Sequence, residues 1–204
     1  MRILGIETAT EACSVALFEN GALLDYRHEI LGRGHAERLV PMIASLPNKG
    51  GASEIRVSLG PGSFTGVRIG LATARALGIA WGAKVTGYPT LALVAAMARH
   101  EHDGPVTVCM NGGHGQWFVQ RFNADGEAID EVASQAPDHI ATKKITGIVA
   151  GNRAEQFAQQ SGLSAVSIPL VPDARSVLHL PGPALTADLA PIYGRPPDAK
   201  APGV

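Results

Sequence analysis

The sequence predicts a mixed α/β protein built in two parts, and three features carry that reading. Three strand-like runs open the chain with no helix between them, strands and helices then alternate, and a strand pair starts afresh after a polar break at His100–Pro105. Arg2–Thr8 and Ala12–Asn20 are the first two strands, the second rich in β-branched and apolar residues. Asn20-Gly21 is a two-residue hairpin signal, because both central positions of a type I′ turn need positive φ. Ala22–Ile30 returns as the third strand.

His35–Leu46 has helical periodicity, with Pro41 bending it. At 100° per residue its apolar positions Ala36, Leu39, Val40, Met42, Ile43 and Leu46 cover about 160°, wider than the ~100° that one core contact needs. Ile55–Leu59 is a short strand, Gly60–Gly66 a rigid turn, and Gly66–Trp81 a second helix. Lys84–Tyr88 and Leu91–Arg99 complete the first part as strand and helix. The expected division is 1–103 and 104–204. In the second part Val106–Met110 and Trp117–Phe122 flank Gly112-Gly113-His114-Gly115, and strands at 147–150 and 165–168 flank a helix near Arg153–Gln160. From Pro181 the chain is proline-rich, an extended tail with one helical turn.

Composition narrows the function. Seventeen Lys+Arg against eighteen Asp+Glu give a net charge of −1, and charged residues make up 17% of the 204, against about 25% in soluble proteins generally. With 46% hydrophobic residues the chain has material for a core, which excludes wholesale disorder. The missing basic excess argues against a stand-alone nucleic-acid binder. Cys13 and Cys109 lie in apolar runs outside any C-x-x-C pair, as buried reduced thiols of a cytoplasmic protein do. Neither a signal-peptide pattern nor a run of about 20 apolar residues is present, so no membrane contact is expected.

Gly60-x-Gly62-x-x-x-Gly66 is one residue too long for a dinucleotide fingerprint and lacks the Gly-Lys-Ser/Thr of a P-loop. It reads either as an anion site at a helix N-terminus or as a tight turn whose glycines allow close backbone approach. Ser63 lacks the G-x-S-x-G context of an activated serine. None of the seven histidines pairs at i,i+4, so no helix offers a two-histidine metal face. The second helix has two apolar faces: Val67, Leu71, Leu77 and Trp81 on one, Ile69, Ala72, Ala76 and Ile79 on the other, with Arg68 and Arg75 on one dividing line. Two helices with apolar surface in excess point either to a protein partner or to packing within the chain.

These segments resemble the TsaB (YeaZ) family of tRNA threonylcarbamoyladenosine biosynthesis proteins. Ile3–Leu17 is similar to its first hairpin, His35–Ile43 to its first helix, and Tyr193–Lys200 to its C-terminal segment. Gly60-Pro61-Gly62-Ser63-Phe64-Thr65-Gly66, continuing through Gly70, is similar to its signature turn. The resemblance implies an actin/sugar-kinase/Hsp70-like (ASKHA) fold of two ribonuclease-H-like halves, the second reduced. It implies a non-catalytic subunit that pairs with a TsaD-like catalytic subunit and works with a TsaE-like ATPase. Such a complex transfers a threonylcarbamoyl group to the adenosine beside the anticodon. ATP and metal are then expected on the partner subunits, no cofactor on this chain, and tRNA contact only through the complex. Leu39, Met42, Ile43, Arg68, Ile69, Ala72 and Arg75 are the expected partner interface, which could also support a homodimer of the isolated chain.

In active members of that fold each half offers an acid and a Gly-rich turn to magnesium phosphate. Here Glu7-Thr8-Ala9-Thr10 has the acid without a glycine, and Asn111-Gly112-Gly113 has glycines without an acid. Met110–Gly115 also departs from the Asp-Ala-Arg-like run usual there. The competing reading is an ASKHA-type phosphotransferase or a metallopeptidase-like enzyme.

Overall fold

A computed structural model describes residues 1–140, 147–161 and 166–194. The family-like segment from Arg195 to Lys200 and the start of the strand expected at 165–168 lie outside the described residues. The first sheet contains β1 (Arg2–Glu7), β2 (Ala12–Glu19), β3 (Ala22–Ile30), β4 (Glu54–Ser58) and β5 (Lys84–Tyr88), in the order β3-β2-β1-β4-β5. β1, β2 and β3 pair antiparallel, and β4 and β5 join parallel to β1. Asn20 and Gly21 take the expected positive φ, 51° and 85°. The second sheet repeats the pattern with β6 (Val106–Gly113), β7 (Gln116–Phe122), β8 (Ala133–Gln135), β9 (Ile148–Ala150) and β10 (Ser167–Ile168), ordered β10-β9-β6-β7-β8. β8, at three residues, carries too short an apolar pattern to register in the sequence.

Helices α1 (His35–Ala44) and α2 (Phe64–Trp81) cover one face of the first sheet, over a core of Leu4, Ile6, Val15, Leu17, Ile55 and Val57. Pro41 sits inside α1, as expected. α3 (Thr90–Glu101) lies between the two sheets. Its residues Leu91–Ala96 pack with Phe18 and Tyr88 of the first sheet and with Val106, Val108, Met110 and Phe118 of the second. A helix that is apolar all round is a buried helix, and α3 joins the two halves around one core. α4 (Pro137–Ile140) is a single turn, and α5 (Ala154–Gln160) covers the outer face of the second sheet through Ala154 and Phe157.

The division expected at 103/104 falls in the link between α3 and β6. The chain does not stay with the second half, however. The Ala174 amide donates to Ser14 Oγ at 2.9 Å, and Thr186 exchanges backbone bonds with Gly87. Ile192 N–H then bonds Leu59 O at 2.8 Å. The extended tail, with one 3₁₀ turn at Gly182–Ala184, is therefore a strap across the first half.

Candidate functional site

The glycine turn connects β4 to α2 and is pressed against the β1–β2 connection. Ser63 N–H donates to Ala9 O at 2.6 Å, and Thr8 Oγ1 donates to Gly66 O at 2.8 Å. A Cβ at Gly62 would overlap Ala9 O, and one at Gly66 would overlap Thr8 O. The glycines are thus required by backbone approach, and only glycine fits there. Ser63 Oγ accepts from Gly66 N–H at 3.2 Å as the N-cap of α2, a role that accounts for a serine at this position. These contacts favour the close-packed turn over an anion cradle.

Behind the turn, Glu7 is fully buried. Ala9 N–H donates to its Oε1 at 2.7 Å, while the Tyr88 hydroxyl bonds Ile6 O at 2.8 Å and reaches Glu7 Oε2 at 3.5 Å. Burial lifts the carboxyl from 4.5 to about 7, because the Ala9 amide and the Ser58 and Tyr88 hydroxyls offset only part of the desolvation. The acid that would face a magnesium phosphate in an active ASKHA protein is turned into the core instead. His35 is likewise buried, its Nε2 3.2 Å from Ala12 O. Among the described residues no three His, Cys, Asp or Glu side chains group as metal ligands.

Between the halves lies a cleft of about 940 Å³, lined by Thr10 and Glu11, the glycine turn, Asn111–His114, Phe118 and Ile192–Gly194. Among the described lining residues Glu11 is the sole carboxylate, and it accepts from Asn152 Nδ2 at 2.8 Å. Asn152 Oδ1 accepts from Asn111 N–H at 2.8 Å, so one amide side chain ties β6 to the β1–β2 connection. Among the described lining residues the second half offers no carboxylate and that of the first half is engaged by Asn152, a poor fit to a magnesium-bound triphosphate.

At the cleft rim the Arg68 guanidinium stacks 3.5 Å from the Phe64 ring centroid and donates to Tyr193 Oη at 3.1 Å. Two turns on, Arg75 Nη2 donates to Leu189 O at 3.1 Å. The dividing line that Arg68 and Arg75 share is therefore the line along which α2 holds the strap.

The expected interface residues separate into two groups. Leu39, Met42 and Ile43 are 0%, 3% and 3% exposed and belong to the core under α1. Their assignment to a partner surface is corrected: an apolar stripe of about 160° has more than one edge, and the sheet takes the Leu39–Ile43 edge. Ala36 and Val40 stay outside, Val40 at 57% exposure. On α2, Arg68, Ala72 and Arg75 are exposed and Ile69 is half-buried. Ile79 is 86% exposed and Phe64 55%. α1 and α2 contact each other, so Val40, Ala72, Ala76 and Ile79 leave an apolar exterior on this layer. The second apolar face of α2 is readable by periodicity; which edge of α1 faces out is not.

The family model for TsaD, tRNA N6-adenosine threonylcarbamoyltransferase, matches residues 28–181. The chain is 41% identical over 159 residues to the tRNA threonylcarbamoyladenosine biosynthesis protein TsaB of Escherichia coli, covering 72% of this chain and 68% of that protein. It is 28% identical over 196 residues to a tRNA N6-adenosine threonylcarbamoyltransferase of Erythrobacter litoralis, covering 82% of this chain but only 57% of the relative's length. The structure of YeaZ from Pseudomonas aeruginosa superposes with a TM-score of 0.79 at 26% identity, covering 94% of this chain and 99% of that one. The doubled sheet order, the shared central helix and this superposition make the fold actin/sugar-kinase/Hsp70-like, with two ribonuclease-H-like lobes. The chain belongs to the TsaB (YeaZ) family of tRNA threonylcarbamoyladenosine biosynthesis proteins.

Proposed function

We propose that this chain is a non-catalytic subunit that binds and activates a TsaD-type transferase through the exposed faces of α1 and α2. The observation that carries the proposal is the apolar exterior of that layer, with Ile79 86% and Val40 57% exposed. Side chains of this kind lose water-exposed apolar area when a partner covers them. The cleft supports the non-catalytic part. The one carboxylate among its described lining residues is bonded to Asn152, and Glu7 lies buried behind the turn. On this reading ATP and metal are handled by the transferase and a TsaE-like ATPase, and tRNA meets the assembled complex in the cytoplasm. The product is N6-threonylcarbamoyladenosine next to the anticodon.

The test is calorimetric titration of the purified chain with a TsaD-type transferase, paired with reconstituted tRNA modification. Ile79→Asp is expected to weaken association by at least about tenfold, since it places a charge in a desolvated contact, with no change in melting temperature. Modification is expected to drop with it. Unchanged association in Ile79→Asp would remove α2 from the contact. ATP or peptide hydrolysis by the isolated chain, abolished in Glu7→Ala or His35→Ala, would replace the proposal with the enzyme reading.

A further inference from the structure

The outer side of α2 carries one continuous line of exposed residues. Phe64, Arg68, Ala72, Arg75 and Ile79 all face solvent, and at 100° per residue they fall within an arc of about 80°. The line is apolar at both ends and at its middle, with a guanidinium in each gap. Arg68 and Arg75 stand seven residues apart, about 10 Å along the helix axis.

Neither cation is neutralised within the chain. Arg2, Arg27, Arg38, Arg56, Arg121 and Arg175 each meet a carboxylate. Arg68 and Arg75 have no acidic partner among the described residues, and α2 itself contains neither Asp nor Glu. Neutral groups hold them instead. Arg68 Nη2 donates to Tyr193 Oη at 3.1 Å while its guanidinium stacks on Phe64, and Arg75 Nη2 donates to Leu189 O at 3.1 Å. A guanidinium has five N–H donors, so each of these contacts restrains the fork and leaves most of its donors and all of its charge unpaired. An arginine restrained in this way loses less freedom when it meets a carboxylate.

Building on the transferase contact proposed above, we propose that this line receives a helix of the TsaD-type transferase bearing two carboxylates seven residues apart, one for Arg68 and one for Arg75. Residues at that spacing share one face of the incoming helix, as the two arginines do on α2. Ala72, between them, offers a small side chain over which an apolar ridge of the partner can close. The apolar positions choose the class of partner. A phosphate backbone would satisfy two arginines but would gain nothing from covering Ala72, Ala76 and Ile79, whereas an amphipathic helix covers both kinds of surface.

Calorimetric titration of the full chain with the transferase at two salt concentrations tests this. Arg75→Gln and Arg68→Gln are each expected to weaken association by about tenfold or more, the cost of truncating one partner of a desolvated charge pair. Each variant is also expected to lose affinity less steeply with salt than the wild type, a change that a merely structural loss would not produce. Unchanged affinity in both variants overturns the proposal, as does a loss that keeps the wild-type salt dependence. Ile79→Asp, run beside them, separates the two levels: if it weakens binding while both arginine variants do not, the contact through α2 stands and the paired carboxylates fall. If Ile79→Asp has no effect, the contact itself falls. Gel retardation of tRNA by the isolated chain, lost in Arg75→Gln, would overturn the proposal in favour of phosphate.

Discussion

Glu7 shows how one side chain changes role with its surroundings. By composition it is an acid after a strand, the type of residue that holds a cation in related folds. Its burial instead stabilises the protonated form, with the carboxyl at about 7 against 4.5 when unfolded. Between those values the folded state binds more protons than the unfolded one, so Glu7 makes stability fall as pH rises from about 4.5 through 7. Above 7 the loss levels off at roughly 3 kcal/mol by the worth of a pK unit. Glu7→Gln should flatten this slope and raise the denaturation midpoint at pH 8 while leaving it nearly unchanged at pH 4. Comparing variant with wild type in urea cancels the opposite contributions of Asp25 and Glu29, whose carboxyls are held low by Arg27 and Arg38. A wild type and variant with parallel pH curves would mean that the carboxyl is not desolvated. The sequence places this acid at the end of β1; in the fold it is buried beside Ser58 and Tyr88, the latter 81 residues away, which no local pattern reports.

At the scale of elements, the three long helices are legible in the sequence and their surroundings only half so. The run Leu91–Ala96 contains no polar face, and the structure buries it on every side between the sheets. Both faces of α2 are apolar by periodicity, and the sheet takes the face with Gly66, Gly70, Ala74 and Gly78, whose small side chains let the helix approach closely. For α1 the periodicity gives a stripe without saying which edge turns inward, and the interface assigned to Leu39, Met42 and Ile43 is misplaced by that ambiguity. A paired substitution separates the edges. Leu39→Asp buries an unpaired charge and should cost about 3 kcal/mol or more, the penalty of a broken buried pair, so the domain should melt far earlier or fail to fold. Val40→Asp, one residue on and exposed, should stay within about 0.5 kcal/mol of wild type. Thermal melts of the two variants decide it; equal losses would place Val40 inside.

Across the whole molecule, the halves are held by α3 at the centre, Asn152 at the cleft and the strap along α2. Asn152 supplies two bonds, to Glu11 and to the Asn111 amide. Asn152→Ala should lower stability by about 1–2 kcal/mol and speed amide exchange at Thr10–Glu11 and Asn111–Gly115, leaving β1 and β4 protected. Exchange that rises evenly over both sheets would mean that the halves open as one unit, without a local latch. The strap adds a second join, since Arg68 and Arg75 tie it to α2 while Ile192 meets Leu59. The low charge of the chain, 17%, follows in part from this packing: the residues of the central helix and the inner sheet faces that form the shared core are uncharged.

The sequence by itself determined the order of the longer strands and helices, the hairpin at Asn20-Gly21, the glycine turn and the repeat after Pro105, because each rests on local periodicity or on the φ a residue can adopt. It also carried the family, through the turn at Gly60–Gly70. Only the tertiary structure decided that Glu7 is withdrawn from the cleft, that Leu39 is core and Val40 surface, and that the tail returns to clamp α2. Those outcomes depend on contacts between residues tens to more than a hundred positions apart. Burial, which sets both the protonation of Glu7 and the availability of an apolar face, is a property of packed elements and not of any one of them.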